Sequence, residues 1–328
     1  MSSPNPTQAA TLAVDSAPLK KQVGLESQER TWGLIFLSPW IIGFLIFTLI
    51  PILVSLYFTF TDFKLNGDKS TPVTFVGLAN WQKVFTDPDT MTALGVTLKF
   101  AAISLPVTLV IPILMAALLN SKHLKLRRIW TTLFYMPYIV PAVSVAFIWR
   151  SYMNSDSGWL NRFLRLIGIA NPPSYLQDPN WVLIAFLLVG LWGVGNAMLI
   201  TLAGMQGVPT ELYEAAQVDG ASGWTQFTRI TIPMISPVIF YNLVLTVIAL
   251  MQYFTIPYIM TGAGINSNPG DPNKAALFLN LYLYKTAFSY FDMGYGATLA
   301  WVIFIMGLAV TALLFATAPF WVYYASGE

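Results

Sequence analysis

Apolar residues do not alternate with polar ones along most of this chain; they run in long blocks separated by short polar stretches. Six blocks stand out, at residues 32–60, 94–119, 129–149, 181–204, 234–261 and 294–322. Each is near or above the roughly 20 residues a helix needs to cross the hydrocarbon of a bilayer. Prolines fall inside several of them, among them Pro39, Pro51, Pro106, Pro112, Pro137 and Pro141. Membrane helices tolerate this because neighbouring groups re-satisfy the freed backbone. The pattern predicts an all-α integral membrane protein with six transmembrane helices in one domain over 31–325. Residues 1–30, rich in Ser, Thr, Pro, Gln and Ala, read as a disordered tail in front of an uncleaved first helix.

Composition agrees: 56% of the 328 residues are hydrophobic, 10% are charged, and mean hydropathy is +0.62, against roughly 25% charged in soluble domains. A net charge of +2 is too small to point to nucleic acid. Cysteine is absent, and the single histidine, His123, sits in a basic loop, so no metal-site signal arises. No phosphate-binding glycine loop with its Lys-Ser/Thr is present, so the chain is not expected to hydrolyse ATP itself. No nucleophile elbow or other catalytic constellation occurs, and no cofactor is implied. Acidic residues are nearly missing from the apolar blocks, which argues against a proton or sodium relay.

Lys122, Lys125, Arg127 and Arg128 crowd the short loop between the second and third blocks. The positive-inside rule makes that loop cytoplasmic. With six spans, both termini and the polar loop 206–237 then share its side. On the other side, Trp159, Leu160, Phe163, Leu164 and Ile167 fall at helical spacing and predict a short helix at the interface.

The 206–237 loop has its own helical logic. Thr210 is expected to cap a short helix whose first turn carries Glu211. Gly220 ends it, Ser222 caps a second helix carrying Trp224, Phe227 and Ile230, and Pro233 stops or kinks that one. In the fifth block Asn242, Thr246, Ala249 and Tyr253 recur at helical spacing, flanked by Gln252. Amides, hydroxyls and rings suit an uncharged polyol; the same groups also serve interhelical hydrogen bonding.

Glu214-Ala215-Ala216, then Gly220, then Ile230 and Pro233 at fixed intervals closely resemble the EAA loop of permease subunits of ABC importers, with Ile232 where the family has Leu. The resemblance extends further. Phe75-Val76-Gly77-Leu78-Ala79-Asn80-Trp81 resembles the F-x-G-L-x-N-[YW] pattern of sugar-type permeases. Tyr135-Met136-Pro137, the run from Phe254 to Gly264, and Met293-Gly294-Tyr295-Gly296 are also similar, although Ala263 and Ile265 depart from the usual T-x-G-G-P ending. Together these cover about residues 30–325.

The resemblance implies one half of a heterodimeric pore for a sugar or sugar-like solute in a bacterial or archaeal cell membrane. A second permease subunit, two ATPase subunits and an extracytoplasmic solute-binding protein would complete it. On that reading Glu214 makes a polar contact with the ATPase, Ala215 and Ala216 allow close docking, and Gly220 sets the angle between the two short helices. Asp219, Ile230 and Pro233 complete the ATPase-coupling set, while Asn242, Thr246, Gln252 and Tyr253 are the solute-binding candidates. A self-sufficient secondary transporter or channel is the rival reading.

Overall fold

The computed structural model describes residues 23–65, 73–262, 268 and 270–323. Most of the expected tail, the Ala263 and Ile265 departures and the last five residues lie outside these. Sixteen α-helices account for most of the described chain, and its only β-pairing is two isolated bridges, Thr61 with Phe75 and Lys64 with Asp292.

The chain divides at Ser55/Leu56 into two compact units. The first holds helix α1 (Val23–Phe44), a π-helical turn (Leu45–Leu49) and the start of α2 (Ile50–Phe58), so residues 23–30 of the expected tail are helical. None of the described side chains of α1 and the π turn is buried. The second unit begins within α2 and continues through α3 (Ala79–Thr86), α4 (Pro88–Leu119), α5 (Arg127–Ile139), α6 (Ala142–Tyr152) and α7 (Trp159–Leu166). Then follow α8 (Val182–Trp192), α9 (Gly195–Gln206), α10 (Thr210–Val218), α11 (Gly223–Gln226), α12 (Ile232–Met234), α13 (Ser236–Met251), α14 (Thr255–Gly262), α15 (Leu279–Tyr284) and α16 (Met293–Thr317).

Among the described residues four stretches are long and apolar enough to cross a membrane: Trp32–Phe58, Pro88–Leu119, Ser236–Gly262 and Met293–Phe320. The expected third and fourth spans are instead bent pairs, α5 with α6 at 97° and α8 with α9 at 49°. Proline explains the first bend. Pro141 pushes Val140 into extended backbone (φ −70°, ψ 128°), which ends α5 before α6 begins. Close packing sets the second: a Cβ on Gly195 would lie 2.4 Å from the Phe134 carbonyl oxygen, so α9 meets α5 backbone to backbone. Gly204 is packed as closely, but against a side chain: a Cβ there would stand 2.8 Å from Val238 Cγ2, whereas Gly190 faces open space.

The larger core joins α4, α6, α8, α14, α15 and α16. At its centre the ring of Phe100 meets those of Tyr253 and Phe278 at 5.0 and 5.2 Å, and Phe186 closes the cluster. A second core of Ala116, Leu119, Met198, Leu202, Met205, Val208 and Ile235 lies where α4 and α9 end.

Two polar devices lock the helices together at the other end. Asn80 donates to the carbonyls of Thr59 and Thr61 at 3.0 and 2.8 Å, and the Trp81 indole donates to Thr59 Oγ1 at 3.3 Å. Gly294 presses against the same carbonyl, a Cβ there falling 2.2 Å from Thr61 O, and its N–H donates to Phe63 O at 2.9 Å. The Phe75–Trp81 motif thus clasps the end of α2 to the start of α16.

Asp87 is the second device. It caps α4, with Pro88 in the first turn, and its Oδ1 accepts from Asp89 N–H at 3.1 Å. Its Oδ2 accepts from Thr90, Tyr282 and Tyr295 hydroxyls at 2.8, 2.6 and 3.0 Å. Lys83 pairs with Asp292 at 3.2 Å and stands 3.9 Å from the Tyr295 ring centroid. Burial pushes the Asp87 carboxyl up, but the hydrogen bonds from Tyr282, Thr90, the Asp89 N–H and Tyr295 outweigh it and hold the group below the usual carboxylate range.

Asp87→Asn is therefore expected to destabilise the fold by about 1–2 kcal/mol at neutral pH, the lower part of the range for charged hydrogen bonds because the group is partly exposed. The folded pKa is lowered, so this stabilisation is complete above the unfolded value of about 3.9 and is lost as pH falls through the folded one. Thermal unfolding in detergent should show wild type and variant separated at pH 7 and converging in acid; an equal gap at both would contradict the electrostatic role.

Candidate coupling loop and pore-side positions

Between α9 and α13 the chain builds a compact two-helix knob. Thr210 does not cap α10: Pro209 holds the cap position, so Thr210 is the first helical residue and makes no cap hydrogen bond. The far end of α10 follows the sequence closely. Asp219 is the C-cap, Gly220 turns left-handed at φ +76°, Gly220 N–H donates to Gln217 O at 3.1 Å, and Ala221 N–H donates to Ala216 O at 2.8 Å. This is the Schellman pattern, which satisfies the last carbonyls of the helix. Ser222 then caps α11, its Oγ accepting from Thr225 N–H at 3.2 Å, and Gln226 Nε2 reaches back to Ala221 O at 3.0 Å.

Pro233 does not end this second helix. A π-helical turn at Phe227–Thr231, closed by Ile232 N–H to Phe227 O, carries the chain into α12, and the break comes at Ile235. The turn at Leu45–Leu49 precedes Pro51 by the same interval. In both places a widened turn accommodates a ring that would strike the preceding carbonyls of a regular α-helix.

Tyr213 is the residue that sequence reasoning missed. Its hydroxyl hydrogen-bonds Thr231 Oγ1 at 2.9 Å, tying α10 to the second helix. Its ring packs with Phe227, Ile230 and Ile232 on the core at the ends of α4 and α9. The only sequence signal was its position opposite Glu211, Glu214 and Ala215. Those three, with Asp219, Gly220 and Pro233, are exposed, and Ala216 and Ile230 are half-buried. The Glu214 carboxylate has no partner among the described residues. The knob is thus clasped within itself, fixed to α4 and α9, and presents outward acidic and small side chains together with the exposed apolar Leu212, Val218 and Trp224.

The fifth-block positions do not share one helical face. α13 stops at Met251, Gln252 is its C-cap, and Tyr253 lies in the break before α14, because the chain leaves the helix there. Asn242 is buried and donates to Thr201 Oγ1 at 3.2 Å. Thr246 is half-buried. Tyr253 stacks on Phe100 and meets Phe278 edge-on at 5.1 Å. Gln252 is exposed; its carbonyl accepts from Asn280 Nδ2 at 3.0 Å, and its side-chain amide has no partner among the described residues.

Gly220→Ala meets no neighbour within 4 Å, so its cost is the left-handed backbone alone, about 1–2 kcal/mol. Tyr213→Phe removes one hydroxyl clasp. Each is expected to speed hydrogen exchange of amides in the knob severalfold while leaving α4 and α9 unchanged; global loosening would show instead that the knob does not behave as a separate unit.

Comparison with known proteins places this architecture. The family described as "binding-protein-dependent transport system inner membrane component" matches residues 108–324. The probable ABC transporter permease protein YesP of Bacillus subtilis strain 168 is 38% identical over 92% of this chain and 94% of its own length. The arabinooligosaccharides transport system permease protein AraP of the same organism is 32% identical over 85% of this chain and 86% of its own. The lactose transport system permease protein LacF of Rhizobium radiobacter is 30% identical over 87% and 93%. In fold the chain is similar to a subunit in the crystal structure of a bacterial ABC transporter involved in the import of the acidic polysaccharide alginate, with TM-score 0.76 and 24% identity over 90% of this chain and 97% of that one. With the family match over most of the chain and relatives this similar along nearly its whole length, the protein belongs to the binding-protein-dependent transport system inner membrane components, the permease subunits of ABC transporters.

Proposed function

We propose that this chain is one half of the pore of an ATP-driven importer for a sugar or sugar-like solute, crossing the membrane six times with both bent pairs counted as spans. The knob docks on a separate ATPase subunit at the cytoplasmic face, the side on which both termini also lie. The observation that carries this is the knob itself: an exposed, self-clasped unit with the unpaired Glu214, fixed to α4 and α9. A rigid lever needs that combination, because force applied at the knob must reach the spans rather than dissipate in a loose loop. Closure of the paired ATPase subunits would move it, and the pore would alternate between inward and outward access. A second permease subunit, two ATPase subunits and an extracytoplasmic solute-binding protein complete the assembly.

The sugar assignment is supported by relatives whose names specify lactose and arabinooligosaccharides. Of the solute-contact candidates, Gln252 has the uncommitted amide. Tyr253 lies beside it with its ring packed among aromatics, Thr246 stands on the helix below, and the amide of Asn242 is already engaged by Thr201.

Purification of the tagged chain in mild detergent from its native membrane should bring down a second permease and an ATPase, identified by mass. In the reconstituted assembly, Glu214→Arg and Gly220→Asp are expected to leave insertion intact and lower ATP-driven uptake at least roughly tenfold, the loss of about 1.4 kcal/mol or more of coupling. Gln252→Ala should change rate or selectivity across a sugar panel without loss of assembly. A chain that transports alone in liposomes, without ATP and stopped by collapse of an ion gradient, would overturn the reading in favour of a secondary transporter.

A further inference from the structure

Helix α7 (Trp159–Leu166) is the most strongly two-faced element of the second unit. One face is bound in. Leu160 and Leu164 pack on the large core, and Asn161, 1% exposed, donates to the carbonyls of Ser155 and Pro173, both at 3.3 Å. The other face is bare: Trp159, Phe163, Leu166 and Ile167 are 67, 58, 84 and 60% exposed. Two arginines edge that face. The Arg162 guanidinium lies 5.7 Å from the Trp159 ring, and Arg165 makes only a long hydrogen bond, 3.4 Å, to the Ser155 carbonyl.

The fold fixes this helix at both ends. Asn154 Oδ1 accepts from Asp156 N–H, Ser157 N–H and the Ser157 hydroxyl, each at 3.0 Å, making a tight turn after α6. A Cβ on Gly158 would fall 2.3 Å from the Asn154 carbonyl oxygen, so that turn admits no larger residue. At the other end Gly168 turns left-handed at φ +96°, with its N–H on Arg165 O at 3.1 Å and Ile169 N–H on Leu164 O at 3.0 Å. This is the same Schellman closure that ends α10. A fold that holds four large apolar side chains so firmly outward, in water, would gain nothing from the rigidity.

We propose that α7 lies in the headgroup region of the membrane surface opposite the coupling knob, with Trp159, Phe163, Leu166 and Ile167 in the acyl boundary and Arg162 and Arg165 on lipid phosphates. The occupant is lipid for two reasons. The helix comes one turn after α6, half of a bent pair apolar enough to form a span, whose residues Phe147, Ile148 and Tyr152 are exposed and apolar, so a bilayer around that span would reach the bare face of α7. The arrangement of rings and aliphatic chains flanked by guanidinium groups matches the interface, apolar on one side and phosphate-rich on the other. An acidic headgroup adds attraction for both arginines. The helix thereby fixes the depth of the α6–α8 connection, beside which a polar cleft of about 520 Å³ opens between Arg150, Asn154, Gln177 and Asp271. The inference stands on the chain spanning a bilayer and not on what it carries.

The absence of cysteine makes the test direct. Leu166→Cys is labelled with a nitroxide in the full chain, with its co-purifying subunits, in nanodiscs of neutral phospholipid and of neutral phospholipid mixed with an acidic one. Collision with oxygen severalfold above collision with a water-soluble nickel chelate supports the proposal. Nickel access above oxygen access places the face in water and overturns it, and low access to both places it under another protein and overturns it equally. With Arg162→Gln and Arg165→Gln added, the deeper insertion expected with acidic lipid should disappear; if that increment persists, the phosphate contact is wrong. Partner-subunit recovery from the same preparation tests the importer reading separately.

Discussion

In hydrocarbon no water takes up a freed backbone group, and this constraint shapes the molecule more than any single contact. Prolines in and beside the apolar blocks bring no N–H donor, and inside a helix each also crowds a carbonyl. The structure answers them in different ways. Pro51 and Pro233 follow widened π turns that keep the helix continuous. Pro141 ends α5 outright and turns the chain by 97°. Pro88 stands in the first turn of α4, where no donor is lost. Where a helix ends or begins, side chains step in: Asn80 on the carbonyls of Thr59 and Thr61 after α2, and Thr97 Oγ1 accepting from Leu279 N–H at the start of α15 at 2.9 Å.

The two ends of the second unit are built differently. Near α3, α15 and the start of α16, polar locks centred on Asp87 and Asn80 tie several elements into one body. At the knob end the attachment is apolar, through the core shared by α4, α9, Tyr213 and Ile230, while the polar groups either close the knob on itself or face outward. On the proposed function, these internal clasps and the apolar seat let the knob move with α4 and α9 as one body.

The same closing device recurs where a short helix must be stiff. Both α10 and α7 end in a left-handed glycine with paired carbonyl contacts, and both present unpartnered side chains to the outside. In α10 these combine acidic and small residues with the apolar Leu212 and Val218, a mixture that the proposed function sets against an ATPase. In α7 they are large, apolar and edged with arginine and suit a lipid surface.

Sequence alone determined the membrane class, the apolar blocks and the helix–glycine–helix course of the knob, because hydrophobic run length and glycine's left-handed preference are local properties. Ser222 as a cap and Gly220 as a stop needed no tertiary information. The short helix at Trp159 was legible for the same reason. What only the tertiary structure decided depends on distant partners. Thr210 and Pro209 compete for one cap position, and the chain path from α9 settles it. Tyr253 leaves the helical face that its spacing suggests because α13 ends at Met251 and its ring joins Phe100 and Phe278 from other helices. The bend before Gly195 goes with the backbone of Phe134 pressing on it, and the value of Asp87 lies in tyrosines 195 and 208 residues away. Periodicity reports which residues lie on one face of a helix; it carries no record of where that helix ends against its neighbours or which side chains from elsewhere complete its polar groups.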